Sequence, residues 1–304
     1  MSASRIEIVE VGPRDGLQNE RVLFSTENKV SLIERLIAAG ARRIEAVSFV
    51  NPKRVPQMAD AEGVMAKVPR RTDVKYIGLV MNGRGFERAL ATKVDEVTFV
   101  VVASDTFNRR NQGVGTDDSI KTLADVAAAA RSARMPLSVI VAAAFGCPFE
   151  GEMPIGRLMG VLGKIAEHEP RELALADTIG VGAPNEVTER FAAVRRILPK
   201  VAMRAHFHNT RNTGIANACA AIAAGVTAID ASVGGIGGCP FAPAATGNIP
   251  TEDLCYMLDR MGIDTGYSAA ALIEVSAWLQ TQLGHDIPAM LGRAGLFPRA
   301  IEAA

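Results

Sequence analysis

The chain has 304 residues, enough to bury a large core as one α/β domain or two smaller ones. Its 33 Lys and Arg balance 33 Asp and Glu with no long basic block, which excludes an extended nucleic-acid or membrane-surface footprint and favours a small-molecule ligand. No apolar run reaches a spanning length, and Met1 to Arg5 lead straight into the first strand without the basic and apolar regions of a signal peptide, so a cytoplasmic protein is expected.

Short β-branched runs alternate with longer helical stretches along the chain. A strand over Ile6 to Val11 is followed by a helix over Thr26 to Ala39, closed by Gly40, where a helix end calls for positive φ. Strands follow at Arg43 to Phe49 and Val74 to Met81, a helix at Arg84 to Ala91, and a strand at Glu96 to Val102. Next come a helix over Ser119 to Ala133, a strand over Leu137 to Ala143, a helix over Ile155 to Glu167 and a strand over Glu172 to Ala176. The series closes with a helix over Pro184 to Leu198, a strand over Met203 to His208, a helix over Asn212 to Ala224 ending at Gly225, and a strand over Thr227 to Val233.

Eight nearly continuous apolar strands separated by helices predict a parallel sheet closed into a (β/α)8 barrel, with no Gly-x-Gly-x-x-Gly after the first strand to support an open doubly wound sheet. Residues 1–262 are assigned to the barrel. Residues 263–304, with a helical pattern over Ala269 to Leu283, read as an appended helical extension, serving as a cap or as the surface of a homo-oligomer. Cys147, Cys219, Cys239 and Cys255 lack Cys-x-x-Cys spacing and are expected as free thiols.

In such a barrel the chemistry sits where the strands end. Arg14 and Asp15 follow the first strand, Glu45 and Ser48 lie on the second, Asp177 follows the sixth, and His206 and His208 end the seventh. A glycine-rich loop, Gly234 to Pro240, and Gly247-Asn248 follow the eighth. Two histidines two apart on a strand share a face, which suits a metal, although a hydrogen-bonded packing pair has the same spacing. Asp15 and Asn248 would complete a mixed oxygen and nitrogen donor set of the kind that suits Mg²⁺ or Mn²⁺. Taken singly, each is equally a turn residue beside a glycine. Arg14 reads as a clamp for an oxyanion or as a salt-bridged arginine, and Glu45 and Asp177 as groups that orient Arg14 or the histidines or pair with arginines elsewhere. Cys239 lies in a stretch rich in glycine and is either a thiol on a closing lid or a small buried hydrophobe.

These residues lie in blocks that resemble the 3-hydroxy-3-methylglutaryl-coenzyme A lyases of the metal-dependent lyase and Claisen-condensing barrel group. The blocks are Glu10 to Glu20 (EVGPRDGLQNE), Ser48 to Met58 (SFVNPKRVPQM), Asp177 to Gly182 (DTIGVG), Gly235 to Pro240 (GIGGCP) and Gly247 to Tyr256 (GNIPTEDLCY). The resemblance implies Asp15, His206, His208 and Asn248 as ligands of a divalent metal, Arg14 as the group stabilising an enolate, Cys239 as a catalytic thiol, and Glu45 and Asp177 as supports of the site. It places Gln18, Ser48, Asn209 and Arg211 where they would meet an acyl-coenzyme A thioester, and it implies retro-Claisen cleavage to acetyl-coenzyme A and a 3-oxo acid. One departure stands out: the lyases usually read His-x-His-Asp-Thr-Tyr-Gly, whereas this chain has His206-Phe207-His208-Asn209-Thr210-Arg211-Asn212. Asn after the second His is similar to the condensing isopropylmalate synthases, so an acyltransferase is a second expectation, and a barrel kept as a binding protein is a third.

Overall fold

A computed structural model describes residues 5–238 and 247–297. Eight parallel strands close into a barrel in the hydrogen-bonded order β1, β10, β9, β8, β5, β4, β3, β2. They are β1 (Glu7–Glu10), β2 (Arg43–Ser48), β3 (Lys75–Val80), β4 (Glu96–Val102), β5 (Leu137–Ala142), β8 (Glu172–Asp177), β9 (Ala202–Phe207) and β10 (Ala228–Ala231). Each coincides with a strand expected from the sequence to within two residues at either end, and this is the expected (β/α)8 barrel. The numbering skips because β6 (Gly146–Cys147) and β7 (Gly151–Glu152) form a small antiparallel hairpin beyond β5.

The alternation of a strand decides what faces the barrel axis. On β4, Phe99 and Val101 join the core beneath the outer helices, whereas Val100 and Val102 join a separate cluster inside. Outside the barrel lie α1 (Thr26–Ala39), α3 (Gly83–Ala91), α5 (Thr116–Ala133), α6 (Ile155–Ala166), α7 (Pro184–Ile197) and α8 (Gly214–Ala223). For α1 the ends are legible: the Ser25 hydroxyl accepts from the Asn28 amide at 3.1 Å, and Gly40 terminates the helix at φ 119°.

Within residues 1–262 three further α-helices were not expected from periodicity: α2 (Ala61–Lys67), α4 (Asp105–Gln112) and α9 (Thr251–Arg260). Beyond the barrel, α10 (Ala269–Leu283) packs against α1, with Trp278 edge-on to Phe24 and beneath the Arg35 guanidinium. A short α11 (Leu291–Ala294) follows. No helix among the described residues is long and apolar enough to cross a membrane.

Candidate metal centre

The first strand ends in a tight π-helical turn, Gly12–Gly16, in which the amides of Arg14, Asp15 and Gly16 all point to the Val11 carbonyl at 3.1, 2.8 and 3.1 Å. The turn carries Arg14 and Asp15 over the barrel mouth. His206 faces inward from β9, and His208 lies just past its end on the same side, with ring centroids 5.3 Å apart. Both Nε2 atoms look at Asp15 Oδ2 from 3.8 Å.

Asn248 comes from the far side of the glycine-rich loop, held opposite His208 by an isolated antiparallel bridge and by the Ile249 amide on the Phe207 carbonyl at 3.1 Å. Its Nδ2 donates to Asp15 Oδ2 at 2.8 Å and to the Ile236 carbonyl at 3.0 Å, which leaves Oδ1 buried with no partner. Gly237, at φ 108°, presses on this pair: a Cβ there would lie 2.5 Å from Asn248 Nδ2 and 2.9 Å from the Asp15 carbonyl.

Asp15, His206 and His208 present ligand atoms within 4.8 Å of one another, the one such acid and imidazole group among the described residues. That spacing suits a divalent cation bonded at ~2.1 Å to each donor. The Asn248 amide lies against this group through Nδ2 on Asp15 Oδ2, with its own oxygen unpartnered.

The charges around the chamber are arranged for this. Burial opposes the Asp15 charge, but Arg14, both imidazoles and the Asn248 amide outweigh it and hold the carboxyl at about 2. Burial, reinforced by its neighbour His206 and by Arg14, lowers His208 to about 4, so its ring is neutral and carries a free lone pair. For His206 burial acts the other way from Asp230 and Asp15, and the hydrogen bond and charges of those carboxylates win, raising its pKa.

Arg14 is wedged between carboxylates: Nη1 meets Asp15 Oδ1 at 2.6 Å, and Nε and Nη2 both engage Glu45 Oε1. Glu45 therefore sits against Arg14, one of the two partners expected for it. Burial first, and then the nearby charges of Asp230 and Asp15, push its carboxyl upward against the pull of Arg14. Asp177 is placed differently. Its oxygens accept from the amides of Val181 and Gly182, each at 2.9 Å, so its carboxylate fixes the loop between β8 and α7 and touches neither Arg14 nor a histidine.

Gln18 reaches Asp15 Oδ1 at 3.4 Å, and Ser48 is fully buried at the end of β2 with its hydroxyl unpartnered. Asn209 Oδ1 accepts from the Gly214 amide at 3.0 Å, steadying the start of α8, and Arg211 Nη1 donates to the carbonyls of Ile179 and Gly180 at 3.0 and 2.9 Å. Both tie neighbouring loops together beside the mouth. Cys239 lies outside the described residues; the loop leading to it is tied at Gly238, whose carbonyl accepts from Asn19 Nδ2 at 2.5 Å.

One group escaped the sequence reading. Asp230, on β10 directly beside His206, accepts from His206 Nδ1 at 3.0 Å. Its other oxygen meets Arg204 Nη1 at 3.1 Å, Arg204 Nε faces Glu172 Oε1 at 2.9 Å, and Arg43 bonds both Glu172 and Glu96 in paired contacts of 2.6 to 2.9 Å. A buried chain of alternating charge thus runs through the barrel up to the His206 imidazole of the candidate metal centre. The signal was available: all five charged residues fall on the inward parity of otherwise apolar strands.

Fold and site together define a (β/α)8-barrel enzyme with a candidate divalent-metal centre at the C-terminal mouth. Comparison with known proteins narrows the class. The family model described as HMGL-like matches residues 5–279. An (R)-citramalyl-CoA lyase of Chloroflexus aurantiacus is 41% identical over 98% of both chains, and a hydroxymethylglutaryl-CoA lyase of Pseudomonas mevalonii is 41% identical over 96% of both. A solved HMG-CoA lyase of Acinetobacter baumannii, in complex with coenzyme A and 3-methylmalate, superposes with a TM-score of 0.93 at 37% identity over the whole of both chains. The chain belongs to the HMGL-like family and is a lyase.

Proposed function

We propose that this lyase is divalent-metal-dependent and cleaves 3-hydroxy-3-methylglutaryl-CoA, or a close 3-hydroxyacyl-CoA analogue, to acetyl-CoA and an oxo acid. The observation that carries the reading is the convergence of Asp15, His206, His208 and the unpartnered Asn248 oxygen beside Arg14 and the unpartnered Ser48 hydroxyl. A Mg²⁺ or Mn²⁺ ion bound there would draw electron density from the substrate oxygens and so acidify a tertiary hydroxyl. Asp15, His206, His208 and Asn248 hold that ion in this reading.

The chain's own groups do the rest. The substrate hydroxyl loses its proton, the C2–C3 bond breaks as a carbonyl forms at C3, and the electron pair flows into the thioester as an enolate. Arg14, fixed by Glu45 and buried away from water, is pre-oriented to stabilise that negative oxygen. Ser48 and Gln18 line the approach of the acyl group, and Asn209 and Arg211 hold the adjoining loops. A proton delivered to C2 completes acetyl-CoA, and Cys239 is the residue assigned to that proton transfer.

The named activity of the Chloroflexus relative, and the bound 3-methylmalate of the Acinetobacter enzyme, favour (R)-citramalyl-CoA as the second substrate to examine. A panel of hydroxyacyl-CoA thioesters assayed for free acetyl-CoA tests both. Release of acetyl-CoA supports the lyase reading; acyl transfer from an acyl-CoA to an oxo acid without cleavage of any hydroxyacyl thioester replaces it with a condensing acyltransferase. His208→Ala should abolish turnover and Mn²⁺ binding together, and unchanged Mn²⁺ binding in that variant sinks the site assignment.

A further inference from the structure

The inward-facing side chains at the barrel mouth form a ring divided into two arcs. One arc, on β9, β10, β1 and β2, carries the charged and metal-ligating groups just described. The other, on β3, β4, β5 and β8, is hydrocarbon: Leu79, Val100, Val102, Ile140, Ala174 and Ala176 pack in a cluster of their own, separate from the core beneath the helices. The arcs meet at the site itself, since Ala176 pairs in register with His206 and Leu79 with Ser48.

This wall is buried but not fully sealed. Val100 and Ile140 retain 7% and 8% exposure in mid-strand, while Phe99, Val101, Val139 and Val141, which face the helices, have none. Ala142, the inward residue one step nearer the mouth, is half-buried although the rest of β5 is buried. The opening along β4 and β5 is thus confined to Val100, Ile140 and Ala142, a small recess whose neighbouring wall on β8 is built of the buried Ala174 and Ala176. The cluster contains no Lys, Arg or His; Arg110 stacks 4.1 Å over the ring of Phe149, which packs on its edge, and the one sulfur within it, Cys147, accepts from the Ser104 hydroxyl at 2.9 Å. A carboxylate pressed into such a wall would be desolvated without a counter-charge. A hydrocarbon would gain roughly fourfold in affinity for each methylene it buries.

We infer that this apolar arc is the acyl-specificity pocket, and that the favoured substrate is a tertiary 3-hydroxyacyl-CoA whose C3 carries a hydrocarbon branch longer than methyl. The inference rests on the lyase reading above and names its substrate class. The substrate's own carboxylate then lies away from this arc, toward the charged one.

The test compares thioesters that share the hydroxyl and carboxylate and differ in a methyl or butyl branch at C3, using the Mn²⁺-loaded full chain. The expected result is a kcat/KM at least tenfold higher for the butyl branch, with Ala142→Leu, which fills the recess, bringing the butyl-to-methyl ratio to about one or below. A wild-type preference for methyl, or a ratio unmoved by Ala142→Leu, overturns the proposal. Should Ala142→Leu not fold, Ile140→Ala takes its place: it should raise the ratio, and an unchanged ratio is equally decisive against it. If no thioester is cleaved, the lyase reading fails but the pocket is still decided, by calorimetric titration with non-cleavable thioether analogues. Butyl binding about tenfold tighter than methyl upholds the pocket, and equal or weaker binding refutes it.

Discussion

Replacing Asp230 by Asn changes one atom of a buried side chain and leaves its volume intact, yet it should disturb the metal centre. Asp230 is 2% exposed, and its two oxygens are both committed, one to His206 Nδ1 at 3.0 Å and one to Arg204 Nη1 at 3.1 Å. As an acceptor it fixes the proton of His206 on Nδ1, which leaves the Nε2 lone pair turned toward Asp15. The amide cannot serve both neighbours. With its oxygen toward Arg204, its NH₂ faces His206 Nδ1 and drives the proton to Nε2, where it blocks ligation. With its oxygen toward His206, its NH₂ confronts a guanidinium that can only donate.

Loss of an outer partner of a ligating histidine costs about 10–100-fold in metal affinity, or roughly 1.4–2.7 kcal/mol. Arg204 keeps Glu172 at 2.9 Å and the Thr98 hydroxyl at 3.3 Å, so the barrel should survive with a loss of stability of about 1–3 kcal/mol. Isothermal titration of chelator-treated protein with Mn²⁺ reads the first quantity and urea unfolding the second. A Mn²⁺ dissociation constant within twofold of the parent, in a variant of normal circular dichroism, would refute the claim that Asp230 sets the His206 tautomer.

Cys239→Ser should lower turnover far more than Mn²⁺ affinity, because the thiol is assigned to the loop and not to the ligand set; weakened Mn²⁺ binding by calorimetry would contradict that placement. Arg43→Ala should destabilise the fold by roughly 3–5 kcal/mol in urea unfolding, since it removes both paired contacts of the buried Glu96 and leaves Glu172 with Arg204 alone. Glu10 gives a pH prediction. Burial, against hydrogen bonds from the Thr251 hydroxyl and the amides of Val233 and Gly12, raises its carboxyl from 4.5 to about 8. A carboxyl with a raised folded pKa holds its proton in the folded state after the unfolded chain has lost it, so its stabilising contribution is full below pH 4.5 and is lost as pH rises through 8. Unfolding free energies from urea titrations across pH 5–9 should therefore fall less steeply in Glu10→Gln, by up to about 1.4 kcal/mol per pH unit in that window, and parallel curves would show that Glu10 does not titrate there.

The strands and the candidate donors from β1 and β9 were legible because each is written locally. An apolar run ending in polar residues marks a barrel strand and its mouth, and Asp15, His206 and His208 lie at or just past such ends. The unexpected helices fail for want of a period. In α2, seven residues contain Gly63 and show barely two turns, and α4, Asp-Thr-Phe-Asn-Arg-Arg-Asn-Gln, buries only Phe107 and Asn108. For Asp230 the inward parity was legible and the partners were not. Its meaning comes from the register that sets it beside His206 and from the Arg204 that answers it, both relations between strands that no single segment contains. Asp177 shows the converse: a carboxylate at a strand end that the fold spends on two loop amides.

The barrel's closure also separates two kinds of change. Because β1 pairs with β10, the first and last strands meet, and the donors from both ends of the chain form one arc with β2 and β9. That arc is tied by buried charge, so any substitution in it leaves a partner unpaired and alters the chemistry itself. The opposite arc comes from the middle of the chain, and its side chains at the mouth, among them Leu79, Val100, Ile140 and Ala176, are packed by dispersion and burial. There a larger or smaller apolar side chain changes the room beside the metal by a methylene or two while every charge keeps its partner. Two relatives equally identical to this chain, at 41%, carry different named substrates. A barrel in which one arc sets the reaction and the other the acyl group permits that divergence without new catalytic residues.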